Sequence, residues 1–328
     1  MDQTAPLSIV ADIGGTNTRI ALARGTEILH DTITRYKNAG EPNFPPLLER
    51  FLAAHPDAKP EACCVAAAGP VRDGRVEMTN LSWVFDKDDL AKATGADVIA
   101  TLNDMQAQGH ALPFLKDEAK TCLRKGHEAS PQAAMLIVGI GTGMNIAPVY
   151  HSAAGTLVPP AEAGHPLLAV RTPENLRLSQ YIEANYGFPS VEEVMSGRGV
   201  SRVYEWLSSE AGNKQILDPT EIMKRVEDGS DPLATETARH FVQIMGSVCG
   251  NLALTLLPFG GIYLIGGVAR AVAPHLVAAG VIDALRNKGR FSGVRAQFAV
   301  SVVADDDAAL TGSALHLQSL LRRDSAQF

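Results

Sequence analysis

The sequence predicts an α/β protein of two domains, each a mixed sheet flanked by helices, and three observations carry that expectation. With 328 residues, the chain is longer than one typical core and suits two domains with a ligand cleft between them. Strand-like and helix-like patterns alternate through the first third, which is the mark of an α/β sheet. An apolar strand followed by a Gly-Thr loop occurs once in each half, at Gly14-Gly15-Thr16 and at Gly141-Thr142-Gly143. That recurrence hints at duplicated halves of similar fold. The expected division is 1–112 with 304–328 as the smaller domain and 113–303 as the larger.

Residues 8–13 are an apolar, β-rich run and 17–23 alternate apolar with polar, so the two read as a hairpin around the glycine turn. A third strand is expected over 28–34, a helix over 44–54, a core strand over 62–67 and a short strand over 75–78. Asp86 stands where it would cap a helix over 87–94, and 97–102 reads as another strand. Lysine and glutamate become denser over 113–130, and the apolar strand 133–139 after Pro131 marks entry into the second domain. Its middle shows helical spacing over 175–186, 200–209 and 220–227. Residues 241–269 carry no charge, but Gln243, Asn251, Pro258 and Gly260-Gly261 interrupt the run. A buried helix over 232–257 followed by a buried strand accounts for it better than a membrane span does. The final helix, 306–321, is expected to return to the first domain.

The formal charge is −7, with Lys and Arg scattered along the chain, unlike the basic footprint of a nucleic-acid binder. An anionic nucleotide would have to be held locally, by backbone dipoles and metal. Residues 1–8 lack the basic-then-apolar pattern of a secretory signal, so cytoplasmic residence is the default expectation. Cys63, Cys64, Cys122 and Cys249 have no metal-like spacing and are expected to be reduced thiols used as small core hydrophobes.

Five segments could carry chemistry. In Asp12-Ile13-Gly14-Gly15-Thr16, glycine lets backbone N–H groups converge on an anion, Thr16 adds a hydroxyl, and Asp12 adds a carboxylate for a phosphate-bound Mg²⁺. Alone, the run reads sooner as an ordinary hairpin turn, and it matches neither the dinucleotide fingerprint nor the P-loop. The second loop, Gly139-Ile140-Gly141-Thr142-Gly143, repeats the same chemistry. Asn103-Asp104 follows an apolar strand and opens a helix; the pair could orient and deprotonate a hydroxyl, or could be an N-cap. Glu162 and His165 lie three apart among small residues, as two groups aimed into one pocket or as a surface loop. Glu192-Glu193 after Ser190 reads by itself as a capped helix first turn.

Taken together, Asp12-Ile13-Gly14-Gly15-Thr16-Asn17, Met78-Thr79-Asn80 with Trp83, Leu102-Asn103-Asp104, Gly141-Thr142-Gly143, Glu162 with Gly164-His165, Glu192 before Ser196-Gly197, and Gly266-Gly267 resemble the bacterial glucokinase family. The match holds in order and spacing over nearly the whole chain. It implies two actin-like ATPase domains of ribonuclease H-like fold around a nucleotide and sugar cleft, usually in a homodimer. It implies an ATP-dependent kinase of glucose with Mg²⁺ as cofactor and Asp104 as general base for the sugar 6-hydroxyl. Asn80, Asn103, Gly143, Glu162, His165 and Glu192 would contact the sugar. Ala11, Asp12, Ile13, Gly14, Gly15 and Thr16 would form the first nucleotide loop, and Gly141, Thr142 and Gly143 the second. Gly266 and Gly267 would line the adenosine side, and Asp12 would hold the ion through water.

Some positions depart from the pattern. Met144-Asn145 stands where the family more often has Leu-Gly, which puts a side chain on bare backbone, and Pro166 and Arg198 are less usual. The Cys-rich zinc motif of the related repressors and open-reading-frame kinases is absent, which favours the glucokinase branch. Rival readings are a kinase of mannose, fructose or glucosamine, a non-catalytic sugar sensor, and an Hsp70-like ATPase that would not need Glu162, His165 and Glu192.

Overall fold

A computed structural model describes residues 5–78, 80–152, 155–292 and 297–325; Thr79, part of one motif above, lies outside them. The chain forms two compact units. The first comprises Met1–Leu115, Ser152–Pro160 and Asp305–Phe328. In chain order it carries β1 (Leu7–Ile13), β2 (Asn17–Arg24), β3 (Glu27–Ile28), β4 (Thr34–Lys37), α1 (Pro45–Ala53), β5 (Ala62–Ala67), β6 (Val71–Arg72), β7 (Arg75–Glu77), β8 (Val84–Phe85), α2 (Lys87–Thr94), β9 (Val98–Asn103) and α3 (Asp104–Ala111). The main sheet runs β3-β2-β1-β5-β9, with β4 also on β2, and β6-β7-β8 form a small separate sheet. β1 and β2 are the expected hairpin, whereas β5 and β9 are parallel additions.

Alternation along β1 explains why this sheet is covered on both faces. Ile9, Ala11 and Ile13 join a core with Phe44, Leu48, Phe51 and Phe85. Val10 joins another with Cys64, Ala107 and Leu310. All six residues of β5 are buried, as befits a parallel strand with helices on either side. The strand expected over 28–34 is broken instead. The Thr32 hydroxyl accepts the Leu22 N–H at 2.9 Å and donates to Leu29 O at 2.7 Å, and this local bonding coils His30–Thr32 into a 3₁₀ turn.

The second unit comprises Lys116–His151 and Ala161–Ala304. It holds β10 (Lys120–Arg124), β11 (Met135–Ile140) and β12 (Met144–Ser152); the short β13 (Gly155–Leu157) that follows groups with the first unit. Then come α4 (Pro173–Tyr186), α5 (Gly197–Glu210), α6 (Pro219–Asp228), α7 (Pro232–Leu256), β14 (Ile262–Ile265), α8 (Gly267–Val272), α9 (Val281–Arg286) and β15 (Val300–Val303). The last helix, α10 (Ala308–Ser325), belongs to the first unit. Strand order is β10-β15-β14-β11-β12. The hairpin β11-β12 is extended by parallel β14 and β15, so the topology β2-β1-β5-β9 recurs as β12-β11-β14-β15. Each half places its Gly-Thr loop at the turn of that hairpin.

The apolar run 241–269 resolves into α7 and β14, and among the described residues no helix is long and apolar enough to cross a membrane. One cysteine departs from expectation. Cys63, Cys64 and Cys249 are buried, but Cys122 on β10 is exposed. Burial pushes the Cys64 and Cys249 thiols up to about 12 and raises Cys63 as well, which suits inert core hydrophobes.

Candidate active site

In the first unit, sheet register gathers two motifs on one edge. Ile13 of β1 pairs with Ala67 of β5, and Ala67 pairs with Asn103 of β9. Ligands of α/β sheets bind beyond the carboxyl ends of parallel strands, and here that edge carries both the first Gly-Thr loop and Asp104. Gly14 N–H donates to Asn17 O at 3.0 Å and closes the turn, leaving Gly15 and Thr16 at an exposed tip. Asn38 holds the loop from behind, donating to Gly14 O at 2.7 Å and accepting the Thr18 hydroxyl at 2.8 Å. Asn80 lies beside the tip, its Cβ 3.7 Å from where a side chain on Gly15 would begin.

Asp12 is paired with Arg19, its register partner on β2. The guanidinium donates to Asp12 Oδ2 at 2.7 and 3.3 Å and reaches Asp307 at 3.4 Å. Asn103 is the N-cap of α3. Its Oδ1 accepts the Met105 N–H at 2.9 Å, Gln106 returns a bond to the Asn103 N–H, and Nδ2 donates to Gly69 O at 3.2 Å. The capping role expected of Asn103 is present, and the cap fixes Asp104 as the first residue of α3, at the strand end.

In the second unit, the loops 141–145, 161–166 and 190–198 come together. Gly197 N–H donates to Gly141 O at 2.8 Å, Glu192 N–H to Gly164 O at 2.8 Å, and Val191 N–H to Pro166 O at 2.9 Å. Glu192 Oε2 accepts the Met144 N–H at 2.8 Å, while Oε1 meets Arg198. Gly164 permits the contact, since a Cβ there would stand 2.2 Å from Met144 O. Ser196, rather than Ser190, caps the helix: its hydroxyl accepts the Gly199 N–H at 3.2 Å and donates to Glu192 O at 2.7 Å. Glu162 and His165 are exposed on the same loop, 3.8 Å apart. Register pairs Ile265 with Gly139, so Gly266 and Gly267 emerge next to the strand that feeds the second Gly-Thr loop.

Four residues that organise these loops, Arg19, Asn38, Asn145 and Arg198, escape the motif reading as partners. Only Asn38 carries a local signal, the turn-like Asn-Ala-Gly at 38–40. Asn145 and Arg198 stand out in the sequence only as departures from the family pattern, and their partners, like that of Arg19, become visible only through contacts. A cavity of about 760 Å³ in the second unit is lined by Trp206, His240, Arg177 and Arg239 and by none of the candidate residues. Arg177 and Arg239 are already paired with Glu210 and Glu236.

These ordered loops span both units, as does the match to the glucokinase family profile, over residues 9–320. The chain belongs to the glucokinase family. A glucokinase of Chromohalobacter salexigens is 34% identical over 315 residues, covering 94% of this chain and 97% of that one. A glucokinase of Nostoc sp. is 30% identical over 336 residues, covering 94% and 98%. The crystal structure of a glucokinase from an Antarctic psychrotroph matches with a TM-score of 0.83 at 27% identity, over 95% of this chain and 98% of that one. The chain is thus an enzyme of this family, with its actin-like α/β fold.

Proposed function

We propose that this enzyme transfers the γ-phosphoryl group of ATP to the 6-hydroxyl of glucose, giving ADP and glucose 6-phosphate. The observation that supports the reading best is the register Ile13–Ala67–Asn103, which brings the first Gly-Thr loop and Asp104 to one sheet edge. Phosphoryl transfer has a loose transition state, so positioning and charge stabilisation do most of the catalysis. Backbone N–H groups of Gly15 and Thr16 and of Thr142 and Gly143 take the polyphosphate, while those of Gly14 and Gly141 close the two turns, with Gly266 and Gly267 on the adenosine side. Asp104 orients the sugar hydroxyl and accepts its proton as the new P–O bond forms. Asn80, Asn103, Glu162, His165 and Glu192 hold the remaining hydroxyls.

Asp12 would supply a carboxylate, paired in the structure with Arg19, and among the described residues no three His, Cys, Asp or Glu side chains are grouped to hold an ion. That donor set suits Mg²⁺, which keeps several waters and takes one or two carboxylates together with substrate phosphates. Asp12 would hold it through water, and the bound ion would neutralise charge on the phosphate oxygens.

The test is coupled ADP release with Mg-ATP, with and without glucose, beside mannose, fructose and glucosamine. Turnover that requires glucose is the expected result. Sugar-independent hydrolysis would support an Hsp70-like ATPase, and preference for another hexose would move the substrate. Glu162→Gln should raise the glucose KM about ten-fold or more, because it replaces a charge-assisted carboxylate-to-hydroxyl hydrogen bond with a weaker neutral one. An unchanged KM would remove Glu162 from the sugar site.

A further inference from the structure

Asn145 departs from the family pattern, and its surroundings give it a task. Its side chain leaves β12 two residues after the second Gly-Thr loop. Nδ2 donates to Ala161 O at 2.6 Å, and Oδ1 accepts the Ala163 N–H at 3.1 Å and the Ile146 N–H at 2.8 Å. The first two partners belong to the peptide groups on either side of Glu162. One planar amide thus grips the backbone before and after that residue, with its donor facing a carbonyl and its acceptor facing an N–H. An amide meets this pattern with both its groups, whereas aspartate has no donor for Ala161 O and alanine has neither group.

From this geometry we infer that Asn145 is a positioning residue that sets glucose selectivity by fixing Glu162 relative to the phosphate-binding strand. The inference rests on the kinase reading above and extends it to a residue outside the sugar and nucleotide contacts. Glu162 is exposed and sits on a loop, so its aim depends on how firmly that backbone is held. Gly164 against Met144 O and Glu192 on Met144 N–H fasten the far end of the loop to the same strand. Asn145 fastens the near end. Movement of the sugar loop is thereby tied to residues 143–145, and a glycine at 145 would leave residues 161–163 without that tie.

The experiment is a double-mutant cycle on the full chain, with Asn145→Ala, Glu162→Gln and the pair, read as KM for glucose, KM for ATP and the ratio of kcat/KM for glucose over mannose. Asn145→Ala is expected to raise the glucose KM about ten-fold, leave the ATP KM within about two-fold, and bring the glucose-to-mannose ratio toward unity. In the Glu162→Gln background the same change should add less than about two-fold, since both act through one group. Asn145→Asp, of the same shape but lacking the donor, should behave likewise and serves if the alanine variant folds poorly. Additive effects, or equal losses with glucose and mannose, would overturn the inference while leaving the kinase reading intact. Wild-type enzyme that shows no glucose-dependent ADP release would overturn both.

Discussion

Arg19 gives Asp12 its place. The two face each other across the β1-β2 hairpin and are mostly shielded from water, so the bonds from the guanidinium to Asp12 are charge-assisted and little screened. Removing the cation leaves a part-buried carboxylate without its partner. Arg19→Met is expected to lower unfolding free energy by about 1–3 kcal/mol in urea titration, and to raise the KM for Mg-ATP through a displaced Asp12. Unchanged values for both would show that Asp12 holds its position without Arg19. At the sugar end, Asp104→Ala should reduce kcat by about 10²–10⁴ with the fold retained, the usual contribution of a positioned base. Residue identities at these loops were legible from order and spacing. Their partners were not: Asn145 reaches across 16 residues to Ala161, and Arg19 and Arg198, though only 7 and 6 residues from Asp12 and Glu192, meet them through hairpin register and loop folding that the motifs do not specify.

The packing of α10 on α3 decides how firmly Asp104 is seated. Gly312 lets the helices touch: a Cβ there would stand 1.7 Å from Ala107 O and 3.1 Å from Ala111 N. Gly312→Ala must push α10 away and is expected to cost about 1–3 kcal/mol, as overpacking does, with a lower Tm as the readout. His110 and His316 meet across the same interface with ring centres 4.6 Å apart and planes tilted by 48°. Burial first, and His316 second, push His110 down to about 3. The folded state therefore keeps His110 neutral, while the unfolded chain takes up its proton below about pH 6.5. Stability is complete above that pH and is lost as pH falls toward 3, by at most about 1.4 kcal/mol per unit. His110→Leu should flatten this slope in urea titrations across the range; an unaltered slope would assign the acid sensitivity elsewhere. Helices with strong caps were legible: Asp86 is the expected N-cap of α2, with Asp89 completing a capping box, and α7 begins after Asp231. Misreadings arose where side chains redirected the backbone, as Thr32 does in the broken strand and Ser196 does in taking the cap from Ser190.

Across the whole molecule, one topology recurs in two units, each with a Gly-Thr hairpin followed by parallel strands. The recurrence was legible as two strand-loop signals, but β15 was not, since Val300–Val303 is only four residues, Val-Ser-Val-Val, too short to show a period of its own. A ligand that binds only the folded chain stabilises it by mass action. Glucose at about 100 times its Kd should therefore add roughly 2.7 kcal/mol and raise the Tm, and Glu162→Gln should shift that response to higher glucose. The measurement that bears most directly on the central claim is coupled ADP release by wild type and Asp104→Ala, each with and without glucose. The account expects glucose-dependent turnover in the wild type and its loss by at least about 10² in the variant. Equal turnover in the two proteins, or release that ignores glucose, would contradict it.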